Sequence, residues 1–216
     1  MFVPTPNLVK DKAKASAFAL AHPFAVLCVN GEDGPVIAHV PLVGVLDCDG
    51  VLVELIGHVA RANPFHETIS DAGAPVVAVF RGADAYVSPS LYPSKLEHGK
   101  AVPTWNYLAA EARGIIKIDR DPANMDDYLV PLTQQMESHR PTPWAVSDAP
   151  ADYMATMMRG IVGLRIAVSE LSGKRKISQG KSEADYQSVA NAFLTSDNPN
   201  EQTLSAEMTK ESTSLS

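Results

Sequence analysis

The sequence predicts a mainly β fold with α additions, and three observations carry that reading. Apolar runs of strand length are separated by turns rich in Gly, Asn and Asp. Segments with helical spacing are few, and they stand before, between and after the strand groups. The chain has 216 residues, 45% of them apolar, enough for one well-packed domain. Strands arranged as hairpins, with helices inserted at the edges, predict a small barrel.

Residues 8–21 form the first expected helix, with Leu8, Ala15, Phe18 and Leu20 on one side. His22-Pro23 ends it, because the residue before proline is pushed out of the helical region. Strands follow at 24–29, 36–46 and 51–59. Asn30-Gly31, Asp33-Gly34 and Asp49-Gly50 supply the positive φ that tight turns demand, which predicts a three-stranded meander. Asn63-Pro64 predicts a short helix, with Asn as cap and Pro at the first position, ending near Gly73. Two more strands, 75–80 and 83–88, flank Arg81-Gly82. Residues 89–103, with three prolines and a glycine, predict a long loop. A strand at 104–118 leads to a helix at 124–139, where Met125, Tyr128, Leu129, Leu132 and Met136 keep helical spacing. A helix at 151–158, a strand at 161–171, a basic turn from Gly173 to Lys181 and a helix at 183–194 complete the pattern. Nine of the last 22 residues are Ser or Thr, so residues 195–216 are expected to be a flexible tail on a domain spanning 1–194.

Charge and composition remove several functions. Lys plus Arg number 18 against 25 Asp plus Glu, a formal charge of -7, the wrong balance for a large nucleic-acid face. No apolar stretch is long enough for a transmembrane helix, and the start of the chain lacks the features of a secretory signal. The two cysteines, Cys28 and Cys48, are expected to be reduced thiols in a cytoplasm of bacterial type. Gly180-Lys181-Ser182 ends like a phosphate-binding loop, but Arg175 stands where that motif needs glycine. The six histidines show no metal-ligand spacing and there is no Gly-x-Ser-x-Gly elbow, so no metal is expected.

Three segments hold candidate chemistry. Gly57-His58-Val59-Ala60-Arg61-Ala62-Asn63-Pro64 places a guanidinium beside a capped helix start, which suits a phosphate monoester; the alternative is an ordinary cap with a solvated Arg. Val102-Pro103-Thr104-Trp105-Asn106-Tyr107 alternates along a strand, with Thr104 and Asn106 on one face and Trp105 and Tyr107 on the other. Gly173-Lys174-Arg175-Lys176-Ile177-Ser178-Gln179 is a positive cluster that either meets an anion or faces water.

These segments occur in order with His-Pro-Phe-Ala at 22–25, Ala-His-Val-Pro-Leu at 38–42, Ala-Tyr-Val-Ser-Pro-Ser at 85–90 and Ile-Val-Gly-Leu at 161–164. Together they resemble the PaiB-type FMN-binding negative transcriptional regulators, within the pyridoxamine phosphate oxidase-like group, over residues 1–194. The resemblance implies an FMN-binding split β-barrel working as a homodimer with flavin at the interface. It implies that Arg61, Ala62 and Asn63 lie near the FMN phosphate. Thr104, Trp105 and Asn106, with Lys176 and Gln179, would border the flavin, and Lys176 would place positive charge at the pyrimidine edge. His39 and His58 would line the same cleft, and Ser88 and Lys95 would belong to a covering loop. The chain departs from the family pattern at Ala38, Leu91, Gly180 and Lys181.

The resemblance implies a negative transcriptional regulator that senses redox state or a metabolite; with no helix-turn-helix and an acidic charge, action through a regulatory protein or by modifying a metabolite is expected before contact with DNA. The competing reading is an FMN-dependent oxidoreductase or oxidase of a small molecule, and a third is a carrier of flavin or another planar ligand such as haem.

Overall fold

The computed structural model describes residues 1–214. In chain order the elements are β1 (Leu8–Val9), α1 (Lys12–Ala21), β2 (Phe24–Gly31), β3 (Gly34–Pro41), β4 (Val43–Leu46), β5 (Leu52–Ala60), β6 (Ala74–Val87), α2 (Ser94–His98), β7 (Thr104–Asp119), α3 (Asp126–Glu137), α4 (Ala151–Arg159), β8 (Ile161–Lys176), α5 (Glu183–Leu194) and α6 (Pro199–Ser214). Among the described residues, no helix is long and apolar enough to cross a membrane.

By internal contact the chain divides into two compact units. The larger comprises Asp11–Phe80 and Ala110–Ser172; the smaller comprises Met1–Lys10, Arg81–Ala109 and the chain from Gly173 onward.

The strands of the sheet follow the order β3-β2-β6-β7-β8-β5-β4, with residues 81–87 of β6, 104–109 of β7 and 173–176 of β8 counted in the smaller unit. The recorded ladders β2–β3, β2–β6, β4–β5 and β5–β8 are antiparallel. The expected meander is corrected here: Leu42 splits the 36–46 run, and β5 pairs with β4 and β8 rather than with β3. The two ends of the strand order are consecutive in sequence, so the sheet curls on itself into a split barrel. Gly57 sits where a Cβ would lie 2.7 Å from the Pro41 carbonyl oxygen, which is the close approach that this curl requires. Leu27, Leu55, Phe65, Phe80, Leu164 and Ile166 are fully buried in the larger unit.

Local signals explain most elements. Asp11 caps α1 by accepting from the Lys14 backbone N–H at 3.1 Å. Gly31 pairs with Gly34 across a two-residue turn, and Gly50 takes φ +75° while the Asp47 carboxylate accepts from the N–H groups of Asp49 and Val51. Arg81-Gly82 does not make a turn. β6 runs through it, and the buried positions shift from Val76, Ala78 and Phe80 to Ala83, Ala85 and Val87, a change of phase in one strand. Asn63 caps only a 3-10 turn, Pro64–Thr68, in place of the expected α-helix, because the turn gives way at once to the extended Ile69.

Gly114 of β7 supplies a sharp stability test. A Cβ there would lie 2.0 Å from the Ala167 carbonyl oxygen, a backbone atom that cannot swing aside. Gly114→Ala is expected to cost about 1–3 kcal/mol through strain, read as a lowered urea midpoint with the transition slope unchanged.

In the smaller unit, β1 pairs antiparallel with the end of β8, Leu8 opposite Lys174 and Val9 opposite Gly173. The expected loop at 89–103 contains a 3-10 turn, Pro89–Leu91, and the short α2. Asp185 fastens α2 to α5: its carboxylate accepts from the Ser94 N–H at 3.1 Å and the Ser94 hydroxyl at 2.7 Å. Ser94 and Ser182 hydrogen bonds hold that carboxyl below its ordinary range, outweighing desolvation.

The structure departs most from expectation at the tail. Residues 199–214 form α6, and Leu204 and Met208 are fully buried. The Tyr186 hydroxyl donates to the Met208 carbonyl at 2.9 Å and the Ser205 hydroxyl to the Ala190 carbonyl at 2.8 Å, so α6 is docked on α5. One turn separates Leu204 from Met208, which puts both on the face that meets α5. Residues 215–216 of the expected tail lie outside the described residues.

Candidate functional site

A cavity of about 380 Å³ opens in the smaller unit, between the start of β7, the end of β8 and the N-terminal segment. Its polar lining comes from Asn7, Thr104, Asn106, Lys176, Ser178, Gln179 and Lys181, its apolar lining from Pro6, Val102 and Pro103, and no Asp or Glu contributes. A pocket lined by donors and cations without a carboxylate is suited to an anionic, partly apolar ligand.

The alternation of β7 builds one wall. Asn106 is buried and Thr104 half-buried, while Trp105 on the opposite face is 52% exposed and meets Tyr86 edge to face, centroids 6.2 Å apart. The end of β8 builds the other wall. The Lys176 ammonium donates to the Thr104 hydroxyl at 2.5 Å and to the Trp105 carbonyl at 2.7 Å. An ammonium carries three donors, so one remains for a ligand. Burial, reinforced by Lys174, lowers the Lys176 pKa against the opposing influence of Tyr107.

Lys174, two residues earlier, is buried for another purpose. Its ammonium donates to the Phe2 carbonyl at 3.0 Å and lies 4.9 Å from the Tyr107 ring centroid, pinning the N-terminal segment. The following turn depends on Ser178, which takes φ +70°, the one positive φ outside glycine among the described residues. Asn106 and Ser178 hold that turn by donating to each other, at 3.0 and 3.2 Å. Gln179 closes it, accepting from the Ile177 N–H at 2.8 Å and donating to the Arg175 carbonyl. The Gly180-Lys181-Ser182 segment holds no triphosphate loop: Ser182 caps α5, and the Lys181 ammonium lies over the Tyr92 ring at 4.3 Å.

Thr104, Asn106, Lys176 and Gln179 are therefore brought together around this cavity, and Trp105 reaches the group through its carbonyl. The other expected residues stand elsewhere. Ser88 caps the 89–91 turn and bonds the Ser90 hydroxyl at 2.7 Å, and Lys95 is exposed on α2. In the larger unit, His39 is exposed on β3 with its ring 6.2 Å from that of Phe24. His58 lies on β5 with a buried, unpartnered Nδ1, and desolvation lowers its pKa, so its imidazole is neutral at pH 7. Ala62 is exposed, and Asn63 spends its side chain on the Phe65 N–H at 3.0 Å.

Arg61 differs most from expectation. Its Nε donates to the Arg159 carbonyl at 2.8 Å, and its Nη2 donates to the carbonyls of Arg120 at 2.9 Å and Ile161 at 3.0 Å. The guanidinium is thus turned toward backbone at the ends of β7 and α4 and the start of β8, and the turn after it has no α-helical N-terminus to offer an anion. Among the described residues, no three His, Cys, Asp or Glu side chains gather as a metal site. Asn7, Ser178 and Lys181 also line the cavity; Ser178 belongs to the positive segment 173–179, whereas Asn7 stands beside β1 and is placed by the β1–β8 pairing.

The chain matches, over residues 1–170, the family described as "Putative FMN-binding domain". An uncharacterized protein of Emericella nidulans, AN0679, is 34% identical over 188 residues, with 72% of this chain and 74% of that protein covered. The protease synthase and sporulation protein PAI 2 of Bacillus subtilis is 27% identical over 201 residues, covering 93% of this chain and 92% of its own. Two solved structures share the fold. The FAD and heme binding protein of Mycobacterium smegmatis has a TM-score of 0.59 at 16% identity, covering 84% of this chain and 78% of that one. The flavocytochrome Anf3 of Azotobacter vinelandii has a TM-score of 0.55 at 12% identity, covering 83% and 74%.

Proposed function

The chain belongs to the FMN-binding domain family that matches residues 1–170, and on that premise we propose that it is a PaiB-type negative regulator that senses redox state or a metabolite through bound flavin. FMN is its cofactor. The observation that carries the site is the acid-free cavity where Lys176 keeps one ammonium donor uncommitted beside Thr104, Asn106 and Gln179. Its donor set fits a phosphorylated, partly apolar ligand.

In this reading Lys176 supplies the charge-assisted bond and Thr104 orients it by accepting one of its protons. Asn106 and Ser178 keep the turn in its positive-φ conformation, and Gln179 closes that turn so that Lys181 reaches the rim. When bound, FMN supplies reversible electron transfer, and a cation near its ring favours the reduced form. The formal charge of -7 supports regulation through a protein partner rather than a basic face laid on DNA. Exposed Phe24 (67%) and Ile37 (57%), on neighbouring strands of the larger unit, support association of two copies.

The test is an FMN titration followed by flavin fluorescence, on the full chain and on Lys176→Met, which keeps the stem and removes the charge. Loss of one charge-assisted bond is expected to weaken binding about 10- to 100-fold with little change in melting temperature. Unchanged affinity would remove Lys176 from the site. Steady-state oxidation of a reduced nicotinamide, measured beside free FMN, separates the regulator from an oxidoreductase: the regulator shows no turnover above the free cofactor.

A further inference from the structure

A second cavity, of about 830 Å³, lies in the larger unit among α3, residues 143–149 and α4. Its chemistry is the reverse of the first. Asp126 and Glu137 contribute carboxylates to its lining, and no Lys, Arg or His lines it. The rest is mostly apolar, with Val130 of α3, Met154 and Met158 of α4 and Trp144, which is 45% exposed.

The cavity is held open rather than left by loose packing. The Trp144 backbone N–H donates to the Glu137 carboxylate at 3.2 Å, tying the 143–149 segment to the end of α3. The Asp148 carboxylate accepts from the Ala145 N–H at 2.9 Å, and the Asp148 N–H donates to the Ala145 carbonyl at 2.9 Å. These bonds fix a turn that cannot fall inward without losing its acceptors. On the far side, Met158 is anchored because it packs on the buried cluster of Val43, Ile56, Met125, Tyr128 and Leu132. No residue of α4 is fully buried, and Met154 and Met158, both half-buried, line the opening.

We infer that this cavity binds an apolar organic cation. An indole face attracts a diffuse positive charge, methionine sulfurs offer a polarisable wall that adapts to different shapes, and two carboxylates with no competing base set the sign. A hard metal ion would need a ring of oxygen ligands, which two carboxylates beside an indole and two thioethers do not provide. The cavity volume falls within the range that encloses a drug-sized molecule. The inference does not rest on the flavin reading: the residues are separate from those of the cavity around Lys176, and the ligand charge is opposite. It gives a metabolite-sensing regulator a place for its effector.

The experiment compares tetraphenylphosphonium with tetraphenylborate, ions of nearly the same shape and opposite charge, by isothermal titration calorimetry on the full chain. The phosphonium is expected to bind saturably at one per chain and at least about tenfold more tightly than the borate. Glu137→Gln keeps an oxygen to accept the Trp144 backbone N–H but removes the charge, so it should narrow the gap between the two ions while leaving the melting temperature in place. Trp144→Ala should weaken the phosphonium by about tenfold. Equal binding of the two ions, no binding of either, or phosphonium affinity indifferent to both substitutions would each overturn the assignment.

Discussion

Truncating the chain after Thr195, which removes α6, is expected to lower the melting temperature by roughly 10–20 °C. Leu204 and Met208 have no exposed surface, and each side chain of that size contributes about 1.5–3 kcal/mol by leaving water. The truncation also uncovers the α5 face that carries Tyr186, Val189, Ala190 and Phe193, all buried, and leaves the Tyr186 hydroxyl without the Met208 carbonyl. The loss therefore exceeds what the helix's weak intrinsic propensity would suggest. Differential scanning calorimetry of the truncated chain beside Leu204→Ala separates packing from length. The substitution alone should cost about 2–5 kcal/mol, and a truncated chain melting within about 2 °C of the full one would show that α6 is not docked in solution.

That helix shows where composition misleads. Nine Ser and Thr in 22 residues carry the signature of a tail, and two large apolar residues make a faint periodic signal. Yet Asn198-Pro199 repeats the pair at Asn63-Pro64, and Leu204 and Met208 stand four apart. Both are helix signals that a composition average dilutes. The reverse happened at Asn63-Pro64, where the same dipeptide opens only a 3-10 turn. A cap marks where a helix can begin; the apolar face that follows decides whether it continues.

Turns were legible because they are local. Gly34 and Gly50 take the positive φ that their neighbours announce. Strand order was not legible, since the pairing of β5 with β8 joins residues more than 100 positions apart, such as Glu54 with Ala167. Alternation along β7 correctly separated Asn106 and Thr104 from Trp105, as any half-buried strand would. What it could not show is that Lys176, 72 residues from Thr104, comes back to meet it. The family motifs named both segments, and the geometry supplies the reason they belong together.

At Arg61 the neighbouring sequence and the long-range packing point in different directions. Locally, a guanidinium beside an Asn-Pro cap looks aimed at phosphate. Over distance it meets the carbonyls of Arg120, Arg159 and Ile161, while its own backbone N–H donates to the Gly160 carbonyl at 2.8 Å. The Arg61 carbonyl accepts from His66 Nε2 at 2.9 Å, and Arg120 donates to the His66 carbonyl at 3.0 Å, so one small network ties β5, β7, β8 and the 64–68 turn together. Arg61→Ala is therefore expected to lower stability by about 1.5–3 kcal/mol, with FMN affinity of the folded protein within about twofold of the parent. Arg61→Lys sharpens the comparison. An ammonium could still neutralise a phosphate as a point charge, but it cannot reproduce the fork that spans three carbonyls. If Arg61 is a latch, both variants melt early, by roughly 3–12 °C. If it is a phosphate ligand, Lys restores most of the FMN binding that Ala loses, and the melting temperature of the cofactor-free protein barely moves.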